Sequence, residues 1–394
     1  MHKAFYLQRT FRKRGILFRI SFNIKKLVLF FIYNIKAFRK ALVGDQRMGI
    51  FEFLYYLGYS AKKYYSLRNQ KHLPFKVISI GNITTGGTGK TPAAIALAEE
   101  AKKRGFNPCI LTRGYKGRAK GPCFVSRGDG PLLDEKDAGD EPFMMANRLR
   151  GIPIVKGADR HEAGLFAIKE LSADSSFASG EPAWGGQPSA KMLFILDDGF
   201  QHWRLFRDKD ILLIDAEDPF DTRRLLPIGL LREPLKEIKR ANIIVITNID
   251  NTRQEAINSL IEEIRPYNAR ALIFPAEHRP LRFEGHLGET MPLRWAEGKN
   301  FFAFCGIGNP ESFQKTLSST GCKIAGIKTY RDHYKYKQKD IDDILKEAQK
   351  NNADWIVTSE KDMTRLKGLD MPENLIAITI RFSVDERFYE QALK

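Results

Sequence analysis

The chain has few cysteines and no long uninterrupted apolar segment. Its four cysteines, among 394 residues, form no C-x-x-C pair. This pattern excludes a zinc ribbon and a secreted disulfide framework, and it favours a reducing cytosolic setting. A metal chaperone is also disfavoured, because the seven histidines and four cysteines are scattered along the chain. The longest uncharged apolar run, 27–35, is far shorter than the ~18 residues that span a bilayer.

Acidic residues are almost absent from the first 47 positions. That segment has twelve Lys or Arg and a single acid, Asp45, so it carries +11 of the net charge of +17. A basic arm predicts an anionic surface as partner, either membrane headgroups or nucleic acid. No aromatic platform or nucleic-acid recognition motif accompanies the arm, so we expect a membrane surface and no nucleic-acid partner. Met48 is an alternative start, which would leave the arm out.

The composition is that of an ordinary folded protein. Hydrophobic residues make up 43% and charged residues 28% of the chain, which excludes collagen-like, coiled-coil and wholly disordered classes. Strands alternate with helical segments, and this order predicts an α/β fold with a largely parallel sheet flanked by helices. The predicted strands are Lys76–Gly81, 108–111, 152–155, 192–196, 211–214, 243–246, 272–274, 301–304, 355–357 and 375–380.

We predict four regions from these patterns. They are a basic arm (1–47), an interfacial amphipathic helix (48–73), a P-loop core (74–275) with a flexible insertion rich in Ser, Gly, Pro and Ala (172–191), and a smaller C-terminal α/β lobe (276–394). The helix 48–67 is dense in aromatic residues and has Lys62 and Lys63 near its end, a composition that suits a bilayer interface. The alternative is that this helix packs on the core.

A glycine-rich loop follows the first predicted strand and precedes a helix. This strand–loop–helix order is that of a P-loop, whose backbone amides surround phosphates at a helix N-terminus. Lys90 would neutralise the β- and γ-phosphates, and the hydroxyl of Thr91 would bind Mg²⁺. The usual first glycine is replaced by Thr84. The predicted nucleotide-binding residues are Thr84, Thr85, Gly86, Gly87, Thr88, Gly89, Lys90 and Thr91.

Two acids end another apolar strand. Asp197 and Asp198 follow 192–196 and are succeeded by G-F-Q-H, an arrangement typical of a Walker B strand whose carboxylate holds Mg²⁺ directly or through water. The sequence leaves open which acid contacts the metal. The segment 247–250, T-N-I-D, only loosely matches the N-K-x-D motif that reads guanine.

Three polar clusters interrupt the regular elements. Thr112–Gly117 (T-R-G-Y-K-G) is cationic and suits an anionic substrate, or it is an exposed turn. Asp140, in G-D-E-P, is either a helix N-cap or a catalytic carboxylate. His333 follows Asp332 in R-D-H-Y and is either half of a surface pair or a neighbour of Asp140 in space, with T-S-E-K-D (358–362) after a later strand.

Taken in order, the motifs resemble the tetraacyldisaccharide 4′-kinases of lipid A synthesis. They are G-N-I-T-T-G-G-T-G-K-T-P (81–92), T-R-G-Y-K-G, G-D-E-P, L-D-D-G-F-Q-H (196–202), L-L-P-I-G-L-L-R-E-P (225–234), D-H-Y-x-Y (332–336) and T-S-E-K-D. The family also lacks the first Walker glycine. The arm 1–47 has no recognised counterpart in the family, and 172–191 is longer than the family needs.

The resemblance implies a P-loop kinase that uses ATP and Mg²⁺. Such a kinase transfers the γ-phosphate to the 4′-hydroxyl of a tetraacylated disaccharide 1-phosphate, giving lipid IVA. It implies a peripheral, monotopic protein at the cytoplasmic face of the inner membrane, anchored by the helix 48–67, and we expect a monomer. The family's catalytic carboxylate maps to Asp140 and its histidine to His333, while Asp197 and Asp198 lie near Mg²⁺.

A mechanism follows as a hypothesis. Asp140 accepts the hydroxyl proton, His333 tunes or relays it, and Lys90 with the loop amides stabilises the transferred phosphoryl group. Arg113, Tyr115 and Glu141 are predicted to contact the acceptor. The competing interpretations are a P-loop regulatory or partitioning ATPase, which would hydrolyse ATP without a lipid acceptor, and a kinase of another sugar, which would lack the interfacial helix.

Overall fold

The computed structural model describes residues 49–115, 117–173 and 191–394. The predicted basic arm, 1–47, and most of the predicted insertion, 172–191, lie outside these ranges. The first described element is helix α1, Ile50–Arg68, which agrees closely with the helix predicted at 48–67.

Strands and helices then alternate through the core. The strands are β1 (Lys76–Gly81), β2 (Asn107–Thr112), β3 (Cys123–Ser126), β4 (Ile154–Lys156), β5 (Met192–Asp197), β6 (Lys209–Asp215) and β7 (Ile243–Thr247). The helices among and after them are α2 (Lys90–Lys103), α3 (Glu135–Ala138), α4 (Asp140–Arg148), α5 (Arg160–Ala173) and α6 (Gln254–Ile264).

The C-terminal part continues the alternation. Its strands are β8 (Leu272–Gly285), β9 (Thr290–Met291), β10 (Asn300–Cys305), β11 (Lys323–Thr329), β12 (Trp355–Ser359) and β13 (Leu375–Val384). Its helices are α7 (Pro310–Ser318), α8 (Gln338–Lys350), α9 (Glu360–Arg365) and α10 (Glu386–Leu393).

Helices cover both faces of the core sheet. Ile78 and Ile80 of β1 pack with the alanine-rich side of α2, whereas Val77 packs with Ala163 and the rest of the α5 side. Side chains alternate between the two faces of a strand, so a strand that is covered on both sides needs apolar residues at successive positions. This explains why β1, β5 and β7 are almost continuously apolar.

All the strands belong to one sheet, in the order β11-β10-β12-β13-β8-β7-β6-β1-β5-β2-β4-β3, with β9 beside β8. Neighbours are parallel within β7-β6-β1-β5-β2-β4 and within β11-β10-β12-β13. The pair β8–β13 that joins these two halves is antiparallel. The predicted fold class, a largely parallel sheet flanked by helices, is therefore observed.

Because the junction is antiparallel, the strands of the two halves have their carboxyl ends facing each other. The first residues of β8 pair with β7 up to Pro275, and β8 then continues beyond the core to pair with β13 from Ala276 to Gly285. Because β13 runs back towards the core, the strands parallel to it also direct their carboxyl ends at the core. Loops that follow strands in the C-terminal lobe therefore meet loops that follow strands in the core.

The length predicted for β8, 272–274, is wrong. The strand extends to Gly285 and runs through the predicted boundary between the core and the C-terminal lobe. Its second half is half-exposed and rich in Arg and Glu. It therefore lacks the apolar run that is typical of the predicted strands. Strands β3, β9 and β11 were not predicted.

Candidate active site

The glycine-rich loop joins β1 to α2 as predicted. Gly89 directly precedes α2 with φ of 77°, and Gly86 has φ of 117°, conformations that residues with a Cβ rarely adopt. Lys90 starts the helix and its Nζ lies 3.2 Å from the carbonyl oxygen of Gly86. Burial lowers the pKa of Lys90 below its ordinary value, although the nearby charge of Asp198 opposes that change.

Thr84, Thr85 and Thr88 fix the loop to its surroundings. The amide of Thr85 donates to the carbonyl oxygen of Leu230 at 2.8 Å, and Thr84 forms a bridge with Leu231. The carbonyl oxygen of Thr88 accepts a hydrogen bond from Thr247 at 3.4 Å. Gly87 has open space where a Cβ would stand. The loop thus has the fixed backbone and open front that phosphate binding requires.

A histidine that the sequence analysis missed lies against this loop. A Cβ on Gly89 would stand 2.2 Å from Nε2 of His278. Burial lowers the pKa of His278 to about 4, so the ring is neutral near pH 7. Asn248 donates through Nδ2 to Asp215 at 3.0 Å, so its Oδ1 faces Nδ1 of His278 at 2.7 Å and accepts the proton there. Both ends of the Asn248 amide are engaged in this way.

The two acids after β5 have different environments. Asp197 is buried, accepts a hydrogen bond from Thr112 at 3.3 Å through Oδ2, and has no partner for Oδ1 within the described part of the chain. Burial, and then the charge of Glu141, raises its pKa well above the ordinary value. Asp198 contacts Nη1 of Arg232 through both oxygens at 3.0 Å. Burial raises the pKa of Asp198, but Lys90 and Arg232 outweigh that effect and lower it.

These groups fit a magnesium ion bound together with a nucleotide. Asp198 lies 4.0 Å from Nζ of Lys90, and Thr91, the predicted hydroxyl ligand, is the next residue. Hydroxyl and carboxylate oxygens are ligands that Mg²⁺ takes, usually one or two from protein and the rest from phosphate and water. No group of three or more His, Cys, Asp or Glu suited to a metal occurs among the described residues.

Asp140 and His333, far apart in sequence, are in contact. Nδ1 of His333 lies 3.1 Å from Oδ2 of Asp140. Gly139 is the N-cap of α4 and Asp140 its first residue, so the N-cap alternative for Asp140 is wrong. His333 occurs in the loop after β11, at φ of 59°. The facing edges of the two halves therefore bring this pair together.

The pair has a third member, Arg365, which the sequence analysis missed. Its Nε donates to Oδ2 of Asp140 at 2.9 Å. Burial raises the pKa of Asp140, but the hydrogen bond from His333 and the charge of Arg365 outweigh burial and hold that pKa well below its ordinary range. Asp140 is therefore an ionised carboxylate that can only accept hydrogen bonds. The proton on Nδ1 of His333 consequently faces Asp140.

The start of α4 also lies next to the phosphate loop. The charge of Glu141 acts on both Lys90 and Asp197, and Oε1 of Glu141 is 3.3 Å from Nζ of Lys361. Nζ of Lys361 is in turn 3.5 Å from Nε2 of His333. The nucleotide loop and the Asp140–His333 pair thus share one charged environment.

Of the other predicted acceptor residues, Tyr115 lies beside this pair and Arg113 lies near Arg160. The ring of Tyr115 is exposed and packs edge-on to His333, with centroids 6.2 Å apart. Arg113 is exposed and its charge acts on Arg160. A Cβ on Gly139 would stand 2.6 Å from the carbonyl oxygen of Tyr115, so the T-R-G-Y-K-G loop packs directly on the residue before Asp140. Lys116 of this motif lies outside the described ranges.

Arg160, whose charge acts on Asp197, was also missed, and it lies near His202 of the G-F-Q-H segment. Arg160, the first residue of α5, is buried, and burial lowers its pKa to about 10, which leaves it charged. Burial lowers the pKa of His202 to about 3. Nε of Arg160 and Nε2 of His202 have no partner within the described residues. Buried polar atoms usually have a hydrogen-bond partner, in protein, water or a ligand. The sequence does not show which arginines and histidines are buried, so these two could not be identified from it as unpaired.

Helix α1 packs on the core by one side only. Glu52 is buried and contacts Arg224, and the hydroxyl of Tyr59 lies 3.4 Å from Oε2 of the fully buried Glu233. The other side of α1 exposes Ile50, Phe51, Leu54, Tyr65 and Leu67. Across the described ranges, no helix is long and apolar enough to cross a membrane.

Comparisons with known proteins agree with this geometry. Residues 47–394 match the family Tetraacyldisaccharide-1-P 4'-kinase. The Tetraacyldisaccharide 4'-kinase of Syntrophus aciditrophicus is 37% identical, covering 82% of this chain and 84% of its own. That of Chlorobium limicola is 38% identical, covering 75% and 78%.

A solved structure gives the same result. The Aquifex aeolicus LpxK structure in complex with ATP has a TM-score of 0.64 at 30% identity, covering 87% of this chain and 96% of its own. The P-loop fold, the use of ATP with Mg²⁺ and the kinase activity expected from the sequence are therefore confirmed. The chain belongs to the tetraacyldisaccharide-1-P 4′-kinase family of lipid A biosynthesis.

Proposed function

We propose that this chain phosphorylates the 4′-hydroxyl of a tetraacylated disaccharide 1-phosphate, giving lipid IVA, with Asp140 as the catalytic carboxylate. The observation that carries the assignment is the contact between Asp140 and His333 beside a P-loop. A sugar hydroxyl is a weak nucleophile, so phosphoryl transfer depends on positioning, charge neutralisation and a proton acceptor.

The ATP end of the site neutralises charge. Lys90 and the amides of the loop 84–91 face the β- and γ-phosphates, and the N-terminus of α2 adds its positive end. Thr91 and Asp198 or Asp197 would hold Mg²⁺, which supplies further neutralisation of the phosphate oxygens. Lys90 and Arg232, the latter 3.0 Å from Asp198, keep that carboxylate ionised.

The acceptor end of the site takes up the proton of the sugar hydroxyl. Asp140 is ionised, and its Oδ2 is occupied by His333 and Arg365, so Oδ1 is the oxygen that can accept the hydroxyl proton. A carboxylate with a low pKa is a weak base, and it takes the proton only as the new P–O bond forms and the hydroxyl becomes acidic. His333 tunes the basicity of Asp140 through the hydrogen bond that its Nδ1–H donates to Oδ2.

Residues around the pair bind the acceptor. Tyr115 and Glu141 flank His333 and Lys90, where a sugar ring between the two centres would lie. Arg113 and the buried Arg160 supply positive charge suited to the 1-phosphate of the acceptor. Nε of Arg160 has no partner among the described residues. This supports an anion at this point, because an arginine fork binds phosphate oxygens well.

Helix α1 brings the site to a lipid surface. Its exposed apolar side chains and its aromatic residues suit the boundary between headgroups and acyl chains, and we place the protein, as a monomer, at the cytoplasmic face of the inner membrane. The acyl chains of the substrate could then stay in the bilayer while ATP arrives from solution.

The test is transfer of labelled γ-phosphate from ATP to tetraacyldisaccharide 1-phosphate in detergent. We expect a labelled lipid product that depends on Mg²⁺, and no labelled lipid when the acceptor is the 4′-deoxy analogue. ATP hydrolysis without a labelled lipid would support a regulatory ATPase and contradict the proposal. Label in the 4′-deoxy acceptor would show that another position is phosphorylated.

A further inference from the structure

Contacts from both halves of the molecule hold the side chain of Arg365 in place. It ends the short helix α9, and its side chain is only 4% exposed. Nη1 donates to the carbonyl oxygen of Gly306 at 2.8 Å and lies 3.0 Å from Oδ1 of Asp362. Nε is left to reach across to Asp140, on the other half of the molecule, at 2.9 Å. A guanidinium fixed on two sides in this way cannot swing freely.

Asp140 receives its two hydrogen-bond donors on the same oxygen. Nε of Arg365 and Nδ1 of His333 both contact Oδ2. Hydrogen bonds to a charged group are directional and stronger than neutral ones. Two of them on one oxygen fix the plane of the carboxylate and leave Oδ1 facing away from both donors. The geometry therefore distinguishes the two oxygens of Asp140.

We infer that Arg365 is a positioning residue for phosphoryl transfer: it holds Oδ2 of Asp140 from the C-terminal lobe, so that Oδ1 is presented to the acceptor hydroxyl. This inference rests on the proposed role of Asp140. Arg365 touches neither reactant. It acts through Asp140 and through His333, whose Nδ1 lies 3.2 Å from Nη2 of Arg365 and contacts the same carboxylate. The base is consequently assembled only when the two halves of the molecule are together.

The neighbourhood of Asp140 offers a matched control. The same pair of helices, α4 and α9, is also joined by Arg148, whose Nη1 lies 3.4 Å from Oε2 of Glu360 and donates to the carbonyl oxygen of Ile380 at 2.8 Å. Replacing Arg148 therefore weakens the contact between the two halves and leaves both hydrogen-bond donors on Asp140. A purely structural role for Arg365 predicts that Arg148 and Arg365 variants behave alike.

The experiment is a double-mutant cycle on the full-length enzyme in detergent. Arg365→Met, Asp140→Asn and the double variant are compared by single-turnover transfer of labelled phosphate to the disaccharide acceptor. We expect Arg365→Met to lower the rate about 10- to 100-fold in the wild-type background, as expected for loss of a hydrogen bond to a charged group, and to have almost no effect in the Asp140→Asn background. Arg148→Met should lower the rate by the same factor in both backgrounds.

Equal losses from Arg365→Met in both backgrounds would overturn the inference and assign Arg365 a structural role. If Asp140→Asn itself kept near-normal turnover, the proposed role of Asp140 would fail instead, so the two failures are distinguishable. Arg365→Lys covers the case in which the methionine variant does not fold. An ammonium cannot hold Oδ2 and the Gly306 carbonyl in one fork, so its smaller loss should likewise vanish with Asp140→Asn.

The pH profile gives a second readout that a structural role would not move. The charged groups that face Asp140 are His333 from its loop, Arg365 from α9 and Glu135 from α3. Without Arg365, burial and Glu135 are opposed only by His333, so the pKa of Asp140 rises. Arg365→Met should therefore move the acid limb of the rate profile to higher pH than in the wild-type enzyme. Arg148→Met should keep the wild-type profile, and an acid limb unshifted in both variants would count against the inference.

Discussion

Gly89 lies where the nucleotide loop, the first helix of the core and His278 meet, so replacing it tests the fit of the loop directly. In Gly89→Ala the new Cβ would stand 2.2 Å from Nε2 and 2.4 Å from Cε1 of His278. The ring cannot simply move away, because Nδ1 is held by Asn248 at 2.7 Å. The residue would also keep a φ of 77°.

The loss of folding free energy in Gly89→Ala has two parts. A left-handed conformation costs an alanine about 1–2 kcal/mol, and an extra methyl in a packed place costs about 1–3 kcal/mol. We expect the free energy of unfolding to fall by about 2–5 kcal/mol if the loop stays in place. If the loop moves instead, ATP binding weakens, about tenfold for each 1.4 kcal/mol.

Urea unfolding and calorimetric titration with ATP measure these two results. Gly86→Ala is the matched control, because Gly86 also has a positive φ, of 117°, but has nothing within 4 Å of its Cβ position. The variant Gly89→Ala/His278→Ala removes the ring and should recover the packing part, about 1–3 kcal/mol. Strictly additive effects of the two substitutions, or a Gly89→Ala protein with unchanged stability and ATP affinity, would refute the account of this loop.

Three further predictions concern charge, membrane contact and pH. Lys90→Ala should lose about 2–4 kcal/mol of transition-state stabilisation, seen in kcat, because a preorganised cation facing the phosphates is removed. Phe51→Ser with Leu54→Ser should weaken binding to anionic vesicles at least about tenfold in a sedimentation assay, whereas Leu287→Ser, exposed on the β8–β9 turn, should not. His278 is neutral when folded, with its pKa lowered to about 4, and the unfolded chain takes up the proton first. Stability should therefore fall by about 2 kcal/mol as the pH falls from 7 to 5, and His278→Asn should remove that part of the pH dependence in urea titrations.

Strongly apolar strands and ordered motifs were predictable from the sequence. The range predicted for β1, Lys76–Gly81, is the observed one, because a strand covered on both faces must be apolar at successive positions. β8 was predicted too short, because its second half contains half-exposed charged residues and has no continuous apolar run. That half of the strand joins the two halves of the sheet. Pairing of that kind is set by tertiary context.

Some residues of the candidate site were likewise predictable from the sequence and others were not. Its local motif, the phosphate loop, was predictable because the glycines and the lysine stand next to each other. Contact between Asp140 and His333 was left open, since it depends on the antiparallel pairing of β8 with β13, which no local pattern shows. Arg365 and His278 were missed because burial of an isolated arginine or histidine follows from packing across the fold.

Asp140→Asn tests the central claim most directly, because asparagine keeps the shape of the side chain and removes its charge. ATP affinity and the single-turnover rate of phosphate transfer to the disaccharide acceptor are measured on the same preparation. The account predicts a rate lowered at least about 100-fold, the scale of general base catalysis, with ATP affinity nearly unchanged. A variant that transfers phosphate at close to the wild-type rate would contradict it.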